Sequence, residues 1–272
     1  MKVVIFAGGR KGIRLREDTE YRPKALAPIG GYPIIWHIMN LYSYYGYNDF
    51  VLLLGPDSYK IKSYFLNYNE MIRNFTLELG STPKPLAFQD SKALRDWKIA
   101  FVDTGITMTG KSLAQVEPFI DKGSSFFLTY CDTLSNVNIT DLKRFHEAMG
   151  RVVTITGAHP TFPLGIIETE DGLVTTFREK KALEGLVNGG FFVCDYRIFD
   201  YLTLEGDFMF EEEPLQRLIK EHELALFEHK DFWYRVDTHK DIEVLEEVWN
   251  SNRALWKVWQ DKNKNLVRQY GK

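Results

Sequence analysis

The chain has 272 residues, 26% charged and 44% hydrophobic, and a net charge of −3. Such a length buries the core of one composite domain, and the composition is that of an ordinary globular protein. The basic excess that nucleic-acid binding requires is missing, and no apolar run approaches the length of a membrane span. The two cysteines, Cys131 and Cys194, lie outside any C-x-x-C or zinc-type spacing. They read as free thiols in a reducing cytoplasm, and a structural metal is not expected.

Met1–Ala7 is apolar but too short for a signal peptide, and it reads as a buried strand over Lys2–Phe6. That strand runs into Gly8 and Gly9, with Gly12 and Arg14 close behind and Lys24 following Pro23. Glycines at a strand end present bare N–H groups with no Cβ to hold an anion away. Arg14 offers a forked contact for a leaving pyrophosphate, and Lys24 offers a compact charge for an α-phosphate. The G-x-G-x-x-G dinucleotide fingerprint is absent.

Pro33–Tyr45 has Ile34, Ile35, Ile38, Leu41 and Tyr42 near helical spacing. Phe50–Leu54 is a short apolar strand stopped by Gly55-Pro56. Tyr59–Leu66 reads as a second helix, and Thr76–Leu79 and Ile99–Val102 as strands around a polar stretch, Gly80–Lys98. Gly105-Ile-Thr-Met-Thr-Gly110-Lys111-Ser112 then matches the G-x-x-x-x-G-K-[ST] phosphate loop letter for letter. It follows a strand and opens a helix expected over Lys111–Phe119, so a P-loop phosphotransferase is a serious reading. Against it, the glycines and lysine of the N-terminus would have no task. The loop would also sit deep in an α/β chain rather than after the first strand.

Ser125–Tyr130 is a very apolar run that leads to Asp132, and Asp237 closes a second apolar run. A carboxylate at a strand end is commonly a cap or turn residue. Two of them, with phosphate oxygens and water, suit octahedral Mg²⁺. Ile139–Met149 reads as a helix and Val152–Thr156 as a strand. Repeated strand–helix units argue for a Rossmann-like α/β core, mostly parallel, with helices on both faces.

Beyond Phe162 the short strands Gly165–Thr169, Leu173–Arg178 and Gly190–Asp195 are expected to lie over the main sheet as antiparallel additions. Glu179-Lys180 and Asn188-Gly189-Gly190 read by spacing alone as an exposed charged turn and a hairpin. Asp241–Lys262 is expected to be one long helix, with Leu245, Val248, Trp249, Leu255, Trp256 and Trp259 along it. His37 is expected near the core. The tryptophans are expected to anchor packing or a subunit interface, and a homo-oligomer is expected. The chain is thus divided into a nucleotide-binding core over 1–160, a β extension and return over 161–240, and a terminal helix over 241–272.

Several segments together resemble the nucleoside-diphosphate-sugar pyrophosphorylases, and in particular the glucose-1-phosphate cytidylyltransferase branch. They are Ala7-Gly8-Gly9, Arg14-Leu15, Pro23-Lys24, Ile29–Met39, Val102–Gly105, Met108-Thr109-Gly110, Thr129–Asp132, Glu179-Lys180, Asn188–Val193, Phe227–His229 and Asp237-Thr238. The resemblance implies transfer of CMP from CTP to a sugar 1-phosphate, giving a CDP-sugar and pyrophosphate without a covalent enzyme intermediate. It implies Gly8 and Gly9 near the nucleotide, Arg14 on pyrophosphate and Lys24 on the α-phosphate, while Gly12 of the glycine loop and Gly105 and Lys111 of the phosphate-loop match are nucleotide-binding candidates from the residues themselves. It further implies Asp132 and Asp237 on Mg²⁺, Lys180 on the acceptor phosphate, and Glu179, Asn188 and Gly189 around the sugar. It demotes the P-loop match to coincidence.

The chain also departs from the family pattern. The glycine loop is one residue longer, with Ile13 in place of a threonine, and Ser112 and Pro163 replace arginines. These changes fall mainly on the acceptor side and leave open another phosphorylated acceptor, such as a different sugar phosphate, a phosphonate or a phosphoramidate. A non-catalytic nucleotide-sugar sensor is the remaining reading.

Overall fold

The computed structural model describes residues 1–8, 22–79, 86–88, 95–160, 166–170, 173–178 and 185–260. In chain order the strands are β1 (Val3–Phe6), β2 (Pro28–Ile29), β3 (Tyr32–Pro33), β4 (Asp49–Leu54), β5 (Phe75–Leu77), β6 (Leu86–Phe88), β7 (Lys98–Asp103) and β8 (Phe126–Tyr130). They continue with β9 (Thr133–Ser135), β10 (Val153–Ala158), β11 (Ile166–Glu170), β12 (Leu173–Arg178), β13 (Val187–Asn188), β14 (Phe192–Cys194), β15 (Leu224–His229) and β16 (Trp233–Arg235). The helices are α1 (Ile34–Tyr44), α2 (Ser58–Leu66), α3 (Tyr68–Ile72), α4 (Thr109–Ala114), α5 (Ile139–Met149), α6 (Glu213–Lys220) and α7 (His239–Asn250).

The central strands are buried on both faces, which is why they read as continuous apolar runs. Every residue of β1 is buried. Successive side chains still alternate between the faces. Val3 and Ile5 pack into a cluster with Ile34 and Ile38 of α1, Ile61 of α2, Leu142 of α5 and Leu245 of α7. Val4 and Phe6 face the opposite cluster, with Leu113 of α4 and Leu215 and Leu218 of α6. The sheet runs β15-β10-β14-β8-β1-β4-β7, with β13 sharing one side of β10 with β14. The pairs β1–β4, β1–β8, β4–β7 and β10–β15 are parallel, as the strand–helix alternation predicts.

Three expectations fail, the first being the helix expected over Lys111–Phe119, which spans Thr109–Ala114 and is followed by a separate 3-10 turn at Glu117–Phe119. The segment read as Gly190–Asp195 does not lie over the sheet. Its strand, β14, is inserted within the sheet, antiparallel to both β8 and β10. Only the β11–β12 hairpin stands apart from the sheet in this region. The expected helix over Asp241–Lys262 ends at Asn250. The chain turns at Ser251 and Asn252, the latter at φ 56° in the left-handed region. Ser and Asn favour turns because their side chains compete for nearby backbone groups.

That turn folds the tail back over α1. The imidazole of His37 is 1% exposed and is ringed by Trp36, Trp249, Trp256 and Trp259. The tryptophans therefore pack within the chain. His37 donates from Nε2 to the Ile29 carbonyl at 2.8 Å, while Trp256 Nε1 donates to Nδ1 at 3.3 Å. Both nitrogens are satisfied by the neutral ring.

Burial pushes the His37 pKa down from 6.5 to about 4. The unfolded chain takes up this proton below its own pKa while the folded one refuses it. Stability therefore falls as pH drops from 6.5 towards 4, by about 3 kcal/mol in all. An NMR titration is expected to find the His37 ring neutral at about pH 5.5. A ring titrating at the ordinary histidine value would contradict the packing described.

Candidate active site

From β1 the chain builds outward through β4 to β7, then returns to β8 on the other side of β1. The crevice between the C-terminal ends of β1 and β8 is thus a topological switch point, where open parallel sheets receive ligands. Gly8 lies at one wall and Asp132 at the other. The Gly8 N–H is not bare as expected, since it donates to the Leu53 carbonyl at 2.7 Å. A Cβ at this position would come within 1.8 Å of the Gly55 nitrogen, so passage of the backbone demands glycine here.

A two-stranded ribbon places the second carboxylate. β9 and β16 pair antiparallel, with Arg235 opposite Thr133, and Val236 N–H donates to the Asp132 carbonyl at 2.8 Å. This pairing carries Asp237 to Asp132. Lys24, on a short 3-10 turn after Pro23, lies between them. Its Nζ is 2.8 Å from Asp132 Oδ2 and 2.9 Å from Asp237 Oδ1. Burial alone would lower the Lys24 pKa. The charge and hydrogen bonds of Asp132, and then those of Asp237, outweigh burial and leave it raised. Lys24 is a fixed cation.

Asp237 is held by the start of α7. Thr238 caps the helix in a reciprocal capping box with Asp241. The Asp241 carboxylate accepts from Thr238 N–H at 2.7 Å, from Asp237 N–H at 2.9 Å and from Tyr234 Oη at 2.9 Å. Burial would raise the Asp241 pKa, but these hydrogen bonds outweigh it and hold the carboxyl below its ordinary value. Beside the aspartates, burial pushes the Cys131 thiol up to about 12, so it stays protonated and is no nucleophile.

Arg235 is a site residue that the sequence reading missed. Its Nε lies 3.2 Å from Asp237 Oδ2 and 3.6 Å from Asp132 Oδ2. The available signal was spacing, because residues two apart on an extended chain share a side. With Lys24 it leaves two carboxylates facing two cations. The donor set suits a hard divalent ion, with carboxylate oxygens converging on one cationic position. Among the described residues no group of three or more His, Cys, Asp and Glu side chains could hold a metal. The remaining ligands of such an ion would be phosphate and water.

Asn188 and Gly189 lie at the same sheet edge. β13 and β14 pair with β10 in registers two residues apart, so Gly189–Phe191 bulge outward. Gly190 at φ 78° and Phe191 at φ 37° carry the chain through this turn. Gly105 follows β7, the outer strand on this side of the sheet, and Lys111 lies on α4. Gly9, Gly12, Arg14, Glu179 and Lys180 lie outside the described residues, as do Ile13 and Pro163.

The stretch Gly105–Ser112 forms no phosphate cradle. Met108 N–H donates to the Asp207 carboxylate at 2.6 Å and Gly110 N–H to the Phe208 carbonyl at 3.0 Å. The Ser112 hydroxyl, which a P-loop would turn towards Mg²⁺, is buried between Thr107 and Thr104 at 2.7 and 3.3 Å. An anion here would meet Asp207 and find these N–H groups engaged, which removes the P-loop reading.

Residues 2–251 match the family model described as nucleotidyl transferase. The chain is 43% identical over 260 residues to a Bacillus subtilis protein named "Probable glucose-1-phosphate cytidylyltransferase", covering 95% of this chain and 100% of that one. It is 37% identical over 262 residues to the glucose-1-phosphate cytidylyltransferase of Salmonella typhimurium, covering 96% and 100%. The fold superposes on a UDP-glucose pyrophosphorylase complexed with UDP-glucose with a TM-score of 0.64 at 14% identity, covering 93% and 99%.

Replacing Asp241 by alanine removes one side of the capping box and the acceptor for Asp237 N–H. Urea unfolding is expected to show a loss of about 1–2 kcal/mol. An unchanged midpoint would mean that the cap does not hold the start of α7.

Proposed function

The chain belongs to the nucleotidyl transferase family, and from that premise we propose that it transfers CMP from CTP to a sugar 1-phosphate. The products are a CDP-sugar and pyrophosphate, and glucose 1-phosphate is the acceptor best supported by the named relatives. The observation that carries the reading is the convergence of Lys24 on Asp132 and Asp237 at the switch point.

An acceptor phosphate oxygen bonds to the α-phosphorus of CTP. The bond from that phosphorus to the bridging oxygen breaks, and the electron pair leaves with pyrophosphate. The nucleophile is already an anion, so no general base is needed. The work of the protein is alignment and charge neutralisation. Lys24, held protonated by its two partners, supplies a positive charge for the α-phosphate. Asp132 and Asp237 would hold Mg²⁺, and Thr133 Oγ1 orients Asp132 by donating to Oδ1 at 3.2 Å. When bound, that ion would neutralise phosphate charge that builds in the transition state.

The remaining roles follow the family pattern. Gly8, Gly9 and Gly12 would meet the nucleotide, with Arg14 on the departing pyrophosphate. Lys180 takes the acceptor phosphate, and Glu179, Asn188 and Gly189 surround the sugar.

Pyrophosphate release should be measured with CTP, UTP, dTTP or ATP, each with and without glucose 1-phosphate. Release is expected with CTP and glucose 1-phosphate together, to stop on chelation with EDTA, and to return with Mg²⁺. Release with another nucleotide instead would overturn the choice of base. Lys24→Ala is expected to lose about two orders of magnitude or more in turnover, the scale of one oriented electrostatic contact. Lys111→Ala is expected to be mild, and the reverse ranking would restore the P-loop.

A further inference from the structure

Met108-Thr109-Gly110, whose phosphate-loop reading fails, is bonded instead to the loop before α6. Gly110 N–H donates to the Phe208 carbonyl at 3.0 Å, and a Cβ at residue 110 would fall 2.3 Å from the Phe208 ring. Thr109 Oγ1 accepts from Phe210 N–H at 2.9 Å and donates to Glu211 Oε2 at 2.6 Å. The other oxygen of Glu211, Oε1, accepts from Tyr130 Oη. Tyr130 Oη in turn accepts from Asn188 Nδ2 at 3.3 Å, and Asn188 Oδ1 accepts from Gly190 N–H at 2.9 Å.

The direction of every bond in this chain is fixed. The two Glu211 oxygens accept, Oε2 from the Thr109 hydroxyl and Oε1 from the Tyr130 hydroxyl. Tyr130 has then committed its one proton, so it can only accept from Asn188, which must present its amide nitrogen. Gly190 N–H holds the carbonyl end of the same amide. Stacking on Phe6 at 5.7 Å and edge contact with Phe192 at 5.8 Å fix the ring. An asparagine held in this way keeps one amide proton and one carbonyl lone pair in a single orientation. The side chain is exposed, at the sheet edge that carries Asp132.

We propose that Glu211, anchored by Thr109 and acting through Tyr130, is a positioning residue that sets the amide orientation of Asn188 and so selects the hydroxyl pattern of the acceptor sugar. The proposal rests on the reading of the chain as a sugar-1-phosphate cytidylyltransferase. Glu211 touches no reacting atom. Its loss should weaken acceptor binding while leaving nucleotide binding and the chemical step in place.

Glu211→Gln introduces an N–H₂ group where two donors now converge, so one of the two bonds must break or reverse, and reversal at Tyr130 frees its proton and no longer commits Oη to accept from Asn188. Tyr130→Phe removes the acceptor of Asn188 directly. Each single variant is expected to raise KM for glucose 1-phosphate about three- to tenfold, the scale of one neutral hydrogen bond. KM for CTP and kcat should stay within about twofold of wild type, a split that a general loss of packing would not produce. The double variant is expected to be no worse than the poorer single one, because both substitutions cut the same chain. An unmoved acceptor KM, equal losses in both KM values, or additive effects in the double variant would overturn the proposal alone. A wild-type protein that turns over CTP with no sugar 1-phosphate would overturn the underlying reading, and the proposal with it.

Discussion

Two carboxylates held side by side repel one another unless a cation lies between them. The site depends on that constraint. Asp132 lies between the central strand β8 and β9, and Asp237 precedes the start of α7. They come from distant parts of the sequence and meet through the β9–β16 ribbon, with Lys24 bonded to both. The same lysine is the positive charge assigned to the α-phosphate. Lys24 and Arg235 together match the charge of the two carboxylates.

The rest of the fold keeps these three side chains in place. β1 and β8 are central strands, buried on both faces, so Asp132 is set by some of the most tightly packed backbone in the chain. Asp237 is further from the core and is held in stages. Its N–H is bonded to Asp241 in the cap of α7. The far end of α7 is fixed by Trp249 against His37, and Glu246 accepts from Gly30 N–H at 2.8 Å. The tail then folds back so that Trp256 covers the same imidazole. A cluster of tryptophans around a neutral histidine thus holds the segment that presents Asp237.

Much of this was legible in the sequence. The apolar runs located β1, β4, β7 and β8 because buried parallel strands need apolar side chains on both faces. Asp132 stood out by its place after an apolar run, where a sheet exposes its ligand-binding edge, and Lys24 as a cation within reach of the glycine loop. The placement of β14 was not legible, since a short strand carries no sign of which neighbours it will pair with. The end of α7 was missed because Leu255, Trp256 and Trp259 continue an apolar spacing, although Ser251 and Asn252 turn the chain. The match at Gly105–Ser112 is a coincidence with a physical reason. A motif specifies residue types, whereas binding phosphate needs free N–H groups, and those of Met108 and Gly110 are already bonded to Asp207 and Phe208. Glu211 was invisible for the converse reason. Its partners Thr109 and Tyr130 are remote in sequence, and only the folded chain brings them to it.

The measurement that bears most directly on the site is Mn²⁺ binding followed by electron paramagnetic resonance, with α,β-methylene-CTP as a nucleotide that cannot react. It should be made on the wild-type protein and on the Asp132→Asn and Asp237→Asn variants. If the two aspartates jointly hold the metal of a metal–nucleotide complex, the wild type binds Mn²⁺ saturably and each substitution sharply weakens that binding. Binding of equal strength in all three proteins would place the metal elsewhere. The convergence of Asp132, Asp237 and Lys24 would then be an ion-pair network that serves the fold rather than the reaction.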